Sequence, residues 1–383
     1  MAKKIEKLLP ELFIILVVLF VAIGVLMTYS SSVFYAQEKF GNPYHFFYRE
    51  MIWIVLGTVA ALCARFIHYQ TIQRWCPVLL LLTIVALILV FVPGVGRRVN
   101  NAYRWIRLAG FSFQPSELAK FAIILFVADN LAKHRRHVER FFRGVLVPLV
   151  VVLVPIVLIV IEPDFGMPAV IVTTVFVMFF VAGTRITYLV LLVAGALPFV
   201  ALLIFKYTYR VRRLLIFLNP DSDPLGAGFQ IRQSLIAIGS GQLHGVGLGN
   251  SAQKMHYLPE AHTDFVFSII GEELGFIGAG FLLGLFIILI FVMYRMTLQI
   301  KDMFGHLVAV GIMTVIGLQV IVNIGVVTSC LPTKGLALPF ISYGGSSMVM
   351  LLAACGLLVN IVHNQNNLKR DTALTHTVDF TVV

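Results

Sequence analysis

Charge is scarce in this chain, and so are the features that divide soluble proteins into domains. Charged residues make up 12% of the 383 residues and hydrophobic residues 59%, and the mean hydropathy is +0.94. The sequence has no Gly/Ser-rich or Pro-rich linker and no internal repeat. It also lacks the alternating pattern of an outer-membrane barrel. These absences predict one polytopic α-helical membrane domain that covers residues 1–383.

Cysteine is also scarce, and the motifs of several common sites are missing. The four cysteines show no CxxC spacing, which argues against a disulfide framework or a zinc knuckle. The histidines and acids between residues 256 and 264 do not follow an HExxH pattern, so this stretch alone predicts no metal site. A divalent ion, Mg²⁺ or Mn²⁺, held between a carboxylate and substrate phosphates stays open. The glycines of "HGVGLGN" (244–250) have the wrong spacing for a dinucleotide site.

Long apolar runs predict about ten transmembrane helices. An even number places both termini on one side, and the basic N-terminus and "KHRRHVERFFR" (133–143) predict that this side is cytoplasmic. Residues 1–12 then form a cytoplasmic N-terminus, 206–263 a large extracytoplasmic loop between helices 7 and 8, and 363–383 a cytoplasmic tail. The predicted spans are Phe13–Tyr29, Met51–Ile67, Trp75–Val92, Leu118–Leu131, Val145–Ile161, Pro168–Ala182, Tyr188–Phe205, Leu274–Met293, Leu307–Val327 and Ser346–Val362.

The net charge of +11 comes from lysines and arginines that flank these spans, so no nucleic-acid partner is predicted. Several arginines nevertheless fall on the extracytoplasmic side. Long loops tolerate such charges, but arginine forks also suit a lipid phosphate or pyrophosphate, and both explanations stay open. In "YRVRRLLIFLNP" (209–220) the arginines precede apolar residues in a manner typical of a short interfacial helix. The extracytoplasmic arginines include Arg97, Arg98, Arg104, Arg107, Arg210, Arg212 and Arg213.

Two acid-containing stretches stand out. Glu117 and Lys120 are spaced to share one helix face inside an apolar segment, where an ion pair is either structural or part of a functional site. Asp264 comes just before a 29-residue stretch, Phe265–Met293, which would form about 43 Å of straight helix. That exceeds the roughly 30 Å of hydrocarbon, so Asp264 is predicted to lie beyond the lipid tails. A simple helix cap is the alternative for its carboxylate.

Spacing also predicts different roles for the acids of "YLPEAHTDFVFSIIGEELGF" (257–276). Asp264 and Glu272 would lie about 12 Å apart along a helix, farther than the roughly 5–9.5 Å of a glycosidase acid pair. A reaction with a good leaving group needs only one base, which Asp264 would supply. Glu272 and Glu273 are expected to pair within the helix bundle. The later stretch "TKGLALPFISYGGSS" (333–347) predicts non-helical, re-entrant backbone.

Four motifs, in order, carry a resemblance to a known family: "YRWIRLAGFSFQPSELAK", "EPDFG", "LPEAHTDF" and "PTKGLALPFISYGGSS". The chain resembles the SEDS proteins (shape, elongation, division and sporulation), and its division and sporulation branches more than its elongation branch. The resemblance implies a bacterial peptidoglycan glycosyltransferase that polymerises lipid II into β-1,4-linked glycan at the outer face of the cytoplasmic membrane, at the division septum. Undecaprenyl pyrophosphate would leave. The implied partners are a class B penicillin-binding protein, which supplies the transpeptidase, and other divisome membrane proteins.

The resemblance also implies roles for individual residues. Asp264 corresponds to the family's essential acid and is the predicted catalytic base. Glu162 and Met167 flank "PDFG" where other residues are expected. A lipid II flippase and a scaffold that activates the transpeptidase are the rival functions. The predicted substrate-binding residues are Arg104, Trp105, Glu117, Lys120, Arg210, Arg213, Lys334, Ser342 and Ser346.

Overall fold

Helices dominate the fold because a backbone in hydrocarbon must satisfy its own hydrogen bonds. The computed structural model describes residues 2–99, 102–108, 111–162, 164–205, 211, 213, 215–217, 223, 226–255 and 257–378. The helices are α1 (Ala2–Phe40), α2 (His45–Phe66), α3 (Tyr69–Leu89), α4 (Pro115–Lys133), α5 (Val147–Ile161), α6 (Gly166–Val181), α7 (Ile186–Phe205), α8 (Ala227–Ser240), α9 (Val266–Thr297), α10 (Met303–Val327) and α11 (Gly345–Val378).

Each of the ten predicted spans falls on a separate helix. By length and composition, seven helical segments can cross a membrane, and they come from α1, α2, α3, α5, α9, α10 and α11. Helices α6 and α7 contribute shorter apolar segments, whereas the charged α4 does not meet these criteria. The chain is thus a polytopic α-helical membrane protein, as predicted, and the total of ten spans stays a prediction.

Two elements were not predicted from the sequence, because neither has a membrane-length apolar run. A three-stranded antiparallel sheet lies between α3 and α4, with strands β1 (Gly96–Val99), β2 (Ala102–Leu108) and β3 (Phe111–Phe113) in the order β1-β2-β3. Helix α8 lies within the segment that was predicted to be one large loop. Both elements lie beside the candidate site described below.

Helix α4 lies inside the bundle, where it packs against α3, α6 and α10. Most of its side chains are buried, including the apolar Ala119, Ile123 and Val127. A helix surrounded by protein can carry charged side chains that lipid would exclude. This position explains why α4 is less apolar than its neighbours.

Helix α9 is interrupted at Gly275, where φ is 68° and ψ is −168°. The carbonyls of Glu272 and Glu273 therefore cannot complete the helical hydrogen-bond pattern. They accept hydrogen bonds from the backbone N–H groups of Val246 and Gly247, each at 3.0 Å. On the other side of the break, the N–H groups of residues 276 and 277 donate to the carbonyls of residues 242 and 243, at 2.8 and 3.1 Å. The straight helix assumed from the sequence is wrong.

The glycines of "HGVGLGN" allow this contact between a loop and a broken helix. Gly245 has φ of 81°, and a Cβ there would lie 2.2 Å from the carbonyl oxygen of Glu273. A Cβ at Gly275 would lie 2.3 Å from the backbone nitrogen of Gly245. The glycine spacing therefore serves close backbone approach within the protein.

Glu272 and Glu273 fasten the first half of α9 to the rest of the bundle, which confirms their expected pairing role. Glu273 forms an ion pair with Lys254 at 2.7 Å and accepts a hydrogen bond from the hydroxyl of Ser30 at 2.7 Å. Glu272 accepts hydrogen bonds from the Ser251 hydroxyl and, at 3.0 Å, from the backbone N–H of residue 252. All three charged side chains are buried. The half-helix that follows Asp264 is thereby fixed at its far end.

The break predicts a sharp contrast between two glycine substitutions in α9. Gly275→Ala places a side chain in a backbone region used almost only by glycine and against Gly245, so we expect a loss of at least about 2 kcal/mol. Gly280→Ala meets no atom within 4 Å and should be neutral or slightly stabilising. Apparent Tm in detergent measures both variants. Equal Tm values would contradict the assigned break.

Candidate active site

The candidate site is formed by connectors between helices that meet at one end of the bundle. They include the sheet that follows α3, the segments that follow α5 and α10, and Arg213. Side chains join them there: Arg104 of β2 donates from Nε to the Glu162 carbonyl at 3.0 Å, and Arg213 donates from Nη1 to the Thr333 carbonyl at 3.3 Å. At the opposite end, Arg185 and Glu139 lie 3.5 Å apart. The site therefore occupies a single face of the protein.

Asp264 lies at the centre of this face, just before α9. Its carboxylate does not cap the helix, since no side chain caps the α9 N-terminus. Its backbone carbonyl accepts a hydrogen bond from Nδ2 of Asn323 at 2.9 Å, and the same Nδ2 donates to the Leu336 carbonyl at 2.7 Å. The carboxylate rests against Gly335, where a Cβ would lie 2.6 Å from Oδ2. Asp264 is thus held between α10 and the segment that follows it.

Burial dominates the electrostatics of Asp264. The pKa of its carboxyl group is raised to about 7, chiefly by desolvation and to a smaller extent by the acids Glu260 and Asp164. The guanidinium groups of Arg104 and Arg213 oppose this rise by stabilising the charged form. A carboxyl group with a pKa near neutrality can both accept and release a proton under ordinary conditions.

Glu162 is a second buried acid in the same face and directly follows α5. Its side chain is fully buried, and neither carboxylate oxygen has a hydrogen-bond partner among the described residues. Burial raises the pKa of this carboxyl group to about 8; Asp164 adds to the rise and Arg104 opposes it. The protonated form of the Glu162 carboxyl group is therefore favoured at neutral pH.

Asp164 and Lys334 complete the cluster. Asp164 caps α6, because its Oδ1 accepts hydrogen bonds from the N–H groups of residues 166 and 167 at 3.0 and 3.3 Å. Burial lowers the pKa of the half-buried Lys334; Asp164 acts against this shift and Arg213 adds to it. We refer to these residues together as the Asp264 cluster: Arg104, Glu162, Asp164, Arg213, Glu260, Asp264 and Lys334.

Aromatic rings support the segment that leads to Asp264. His262 is buried, with ring centroids 5.4 Å from Tyr35, 4.8 Å from Phe46 and 6.0 Å from Tyr343. Its carbonyl accepts a hydrogen bond from the N–H of Tyr343 at 3.0 Å. The ends of α1 and α2 and the segment before α11 thereby fix the backbone two residues before Asp264.

Four predicted site residues come together here, namely Arg104, Arg213, Lys334 and Asp264. Trp105 is half-buried and directly follows Arg104 in β2, so the two side chains project from opposite faces of the sheet. Arg210 lies outside the described residues. The sequence signal for Glu162 and Asp164 is the acid-containing turn "EPDFG" between two apolar spans, and Glu260 lies in "LPEAHTDF".

Glu117 and Lys120 form a separate buried ion pair near the start of α4, with Oε2 and Nζ 2.8 Å apart. In the described part of the chain no hydrogen bond or ion pair links them to the Asp264 cluster. Their burial within α4 gives them a structural function in the bundle, and a role in substrate binding stays a prediction.

Ser342 and Ser346 satisfy backbone N–H groups near the start of α11. The Ser342 hydroxyl accepts a hydrogen bond from the N–H of Leu338 at 2.8 Å, within the irregular segment between α10 and α11. Ser346, in the first turn of α11, accepts one from the N–H of Gln114 at 3.1 Å and so ties α11 to the start of α4. Both side chains are buried. The predicted non-helical segment is confirmed, since residues 332–338 are irregular.

Among the described residues, no three His, Cys, Asp or Glu side chains are placed to hold a metal ion. The Asp264 cluster instead presents three cationic side chains beside its acids. Such an arrangement suits a ligand that carries phosphate groups and a hydroxyl group that loses a proton.

Comparisons with known proteins agree with this architecture. Residues 10–367 match the family model FTSW_RODA_SPOVE, described as "Cell cycle protein". The chain is 42% identical to "Stage V sporulation protein E" of Bacillus subtilis, over 93% of this chain and 98% of that protein. It is also 42% identical to "Probable peptidoglycan glycosyltransferase FtsW" of Trichlorobacter lovleyi, over 91% of each chain.

Two solved structures share the fold. One is a chain from a study of polymerization and crosslinking by a peptidoglycan synthase complex, with a TM-score of 0.76, 30% identity and coverage of 92% of this chain and 97% of that one. The other is the rod shape determining protein RodA of Thermus thermophilus, with a TM-score of 0.66, 28% identity and coverage of 92% and 96%. The chain belongs to the FtsW/RodA/SpoVE family, which is the SEDS family.

The buried Glu162 predicts a pH-dependent stability. Its folded-state pKa is raised from 4.5 to about 8, so the folded protein keeps a proton that the unfolded chain releases. Stability from this group is therefore lost as pH rises through that interval, by at most about 5 kcal/mol. Glu162→Gln has no such proton, and its apparent Tm should fall less than that of the wild type between about pH 6 and pH 9.

Glu139→Gln is the matched control for this measurement. Glu139 is exposed and lies at the opposite end of the bundle, so this variant should keep the wild-type slope of Tm against pH. A wild-type slope in Glu162→Gln would contradict the proton assignment.

Proposed function

We propose that the protein is a peptidoglycan glycosyltransferase that polymerises lipid II into β-1,4-linked glycan strands. The observation that carries this proposal is Asp264, a half-buried carboxyl group with a pKa near neutrality that Arg104 and Arg213 stabilise in its charged form. Lys334 lies in the same cluster, where it interacts with Asp164 and Arg213. Family membership and the peptidoglycan glycosyltransferase names of similar proteins support the choice of substrate. Composition and fold alone would not distinguish this substrate from other lipid-linked phosphates.

Asp264 acts as the base in the proposed reaction. It removes the proton from the 4-hydroxyl group of the acceptor N-acetylglucosamine as that oxygen attacks the anomeric carbon of the donor N-acetylmuramic acid. A new C–O bond forms, the bond from that carbon to the pyrophosphate oxygen breaks, and the configuration inverts. Undecaprenyl pyrophosphate leaves with the bonding electron pair. Because pyrophosphate is already a good leaving group, one carboxylate is sufficient and no paired acid is required.

The cations of the Asp264 cluster stabilise the charge that develops on pyrophosphate. Arg104 is anchored through its Nε and Arg213 through its Nη1, so their guanidinium groups are directed before the substrate binds. Groups fixed in advance stabilise a developing charge without reorganising during the reaction. Lys334 adds a third positive charge, and a divalent ion bound mainly by the substrate is compatible with the cluster. Arg210, outside the described residues, stays a predicted substrate-binding residue.

The remaining predicted residues support the site from a distance. Ser342 orders the segment that carries Lys334, Ser346 binds the backbone just before α4, and the Glu117–Lys120 pair fixes the start of α4. Trp105 lies on the other face of the sheet that carries Arg104. We infer that these residues shape the substrate pocket through the loops they hold.

The face that carries the Asp264 cluster is proposed to be extracytoplasmic. The opposite end carries basic residues such as Lys133, Arg135 and Arg185, as expected for a cytoplasmic surface. Lipid II presents its sugars at the outer face of the bacterial cytoplasmic membrane after translocation. We propose that the protein works there at the division septum, together with a class B penicillin-binding protein and other divisome membrane proteins. The peptidoglycan synthase complex among the similar structures supports a crosslinking partner.

Asp264→Asn tests the base directly. The amide preserves the shape of the side chain and cannot accept the proton, so we expect at least a 100-fold lower rate of glycan formation from lipid II in detergent. Asp302→Asn is the matched control, because Asp302 caps α10 at the opposite end and asparagine caps equally well. It should retain full activity.

The assay also separates the rival functions. A flippase needs two compartments, so a pure transporter would form no glycan in detergent even as wild type. A scaffold would leave Asp264→Asn fully able to support division. Polymerisation by folded Asp264→Asn at the wild-type rate would refute the base assignment.

The pH dependence of the reaction follows from the state of Asp264. Its pKa is raised from 3.8 to about 7, so the protonated, inactive form dominates below neutrality. The initial rate of polymerisation should therefore rise about tenfold per pH unit below about pH 6 and level off above about pH 7.5. A rate that is constant between about pH 5.5 and pH 7.5 would show that another group limits the reaction.

A further inference from the structure

Asn323 joins the two backbone segments that carry the site. It lies in α10, is buried, and uses one amide nitrogen to donate to the carbonyls of Asp264 at 2.9 Å and Leu336 at 2.7 Å. Asp264 belongs to the segment before α9, and Leu336 belongs to the segment after α10 that also carries Lys334. One side chain therefore sets the separation of these two segments.

That separation determines where the Asp264 carboxylate lies. The carboxylate rests against Gly335, the residue just before Leu336, and a Cβ there would approach Oδ2 to 2.6 Å. Among the described residues, no backbone hydrogen bond joins Asp264 to residues 333–338. The nearest backbone link is the one from Tyr343 to His262. The Asn323 amide supplies the polar connection at the level of the carboxylate itself.

The chemistry of the amide group fits this bridge. Two carbonyl oxygens require two N–H donors from one short side chain, and the amide NH₂ group supplies both. A carboxylate of the same shape has no donor, and an aliphatic side chain leaves both carbonyls without a partner. The opposite amide oxygen of Asn323 is buried and accepts no hydrogen bond in the described part of the chain. The residue is thus used only as a donor.

We propose that Asn323 is a positioning residue, which holds the Asp264 carboxylate against Gly335 and at a fixed distance from Lys334. It touches neither the sugars nor the pyrophosphate and acts through the two backbone segments. This inference rests on the proposed glycosyltransferase function. A displacement of about 1 Å of a catalytic group is sufficient to lower a rate by about two orders of magnitude.

Gln319 is a matched control one helical turn earlier. It is also a buried amide in α10, and no hydrogen bond to the Asp264 or Leu336 segment is formed by it in the described structure. Replacement by leucine removes an amide of similar burial in both cases. A difference in kcat or pH profile between Asn323→Leu and Gln319→Leu is therefore due to loss of the two Asn323 hydrogen bonds, because both variants lose a buried polar group.

The experiment compares wild type, Asn323→Leu and Gln319→Leu in complex with the transpeptidase partner, with lipid II in detergent as substrate. We expect Asn323→Leu to lower kcat by about 10- to 100-fold with KM changed less than about threefold. Gln319→Leu should stay within about threefold of the wild-type kcat. Size-exclusion profile and apparent Tm establish that each variant is folded.

The pH profile provides a readout that a general loss of stability would not move. Burial is the main cause of the raised pKa of Asp264. Release of the carboxylate from Gly335 in Asn323→Leu should therefore shift the acid side of its rate-against-pH profile to lower pH. The charged groups facing the carboxylate, Glu260, Asp164, Arg104 and Arg213, are unchanged in this variant. Gln319→Leu should have the same rate-against-pH profile as the wild type.

Each outcome has a distinct meaning. If the wild-type complex forms no glycan, the proposed function fails. If the wild type is active and folded Asn323→Leu has wild-type kcat and pH profile, the positioning role is wrong. Should Asn323→Leu not fold, Asn323→Ser takes its place: serine retains one donor, so a smaller loss of kcat with the same direction of pH shift is expected, and wild-type values overturn the proposal.

Discussion

The backbone hydrogen bonds across the break in α9 are the constraint on which the site depends. At Gly275 the helix loses its regular pattern, and the carbonyls of Glu272 and Glu273 are satisfied by the N–H groups of residues 246 and 247. Without these partners, buried polar groups would carry a cost of about 1–3 kcal/mol each. Because of this break, the first half of α9 does not have to run in the same direction as the second half. Asp264 is therefore placed by the protein interior and not by the crossing angle of a membrane helix.

A balance between burial and positive charge gives this face its chemistry. Burial alone would keep Asp264 and Glu162 protonated, and the nearby arginines alone would favour the deprotonated form of each acid. The observed arrangement leaves Asp264 with a pKa of about 7 and Glu162 with a pKa of about 8, both well above the ordinary range of a carboxyl group. Arg104 acts on both acids, because its positive charge lowers the pKa of Asp264 and of Glu162. The two buried acids are thus coupled through a shared arginine.

Sequence reasoning reached the apolar helices and the key acid because both leave strong local signals. Membrane-length hydrophobic runs mark helices such as α10, and an acid placed just before such a run marks Asp264. The break at Gly275 could not be predicted, since its reason lies in the distant loop around Gly245. Glu162 and Asn323 were likewise not predicted as site residues. Their roles depend on which connectors lie close together in the folded protein, and neither residue spacing nor composition predicts those contacts. The small sheet escaped because its strands are too short for a clear alternating pattern.

The three isolated facts about the loop between α10 and α11 have one explanation when they are taken together. Its backbone is irregular, its Ser342 hydroxyl accepts a hydrogen bond from the N–H of Leu338, and Asn323 donates to its Leu336 carbonyl. Irregular backbone at this depth is stable only when such partners are provided. A regular helix here would satisfy its own backbone N–H and C=O groups, but it could not bring Gly335 against the Asp264 carboxylate. The irregular segment is therefore the condition for burying the acid, and burial is what moves its pKa into the range useful for a base.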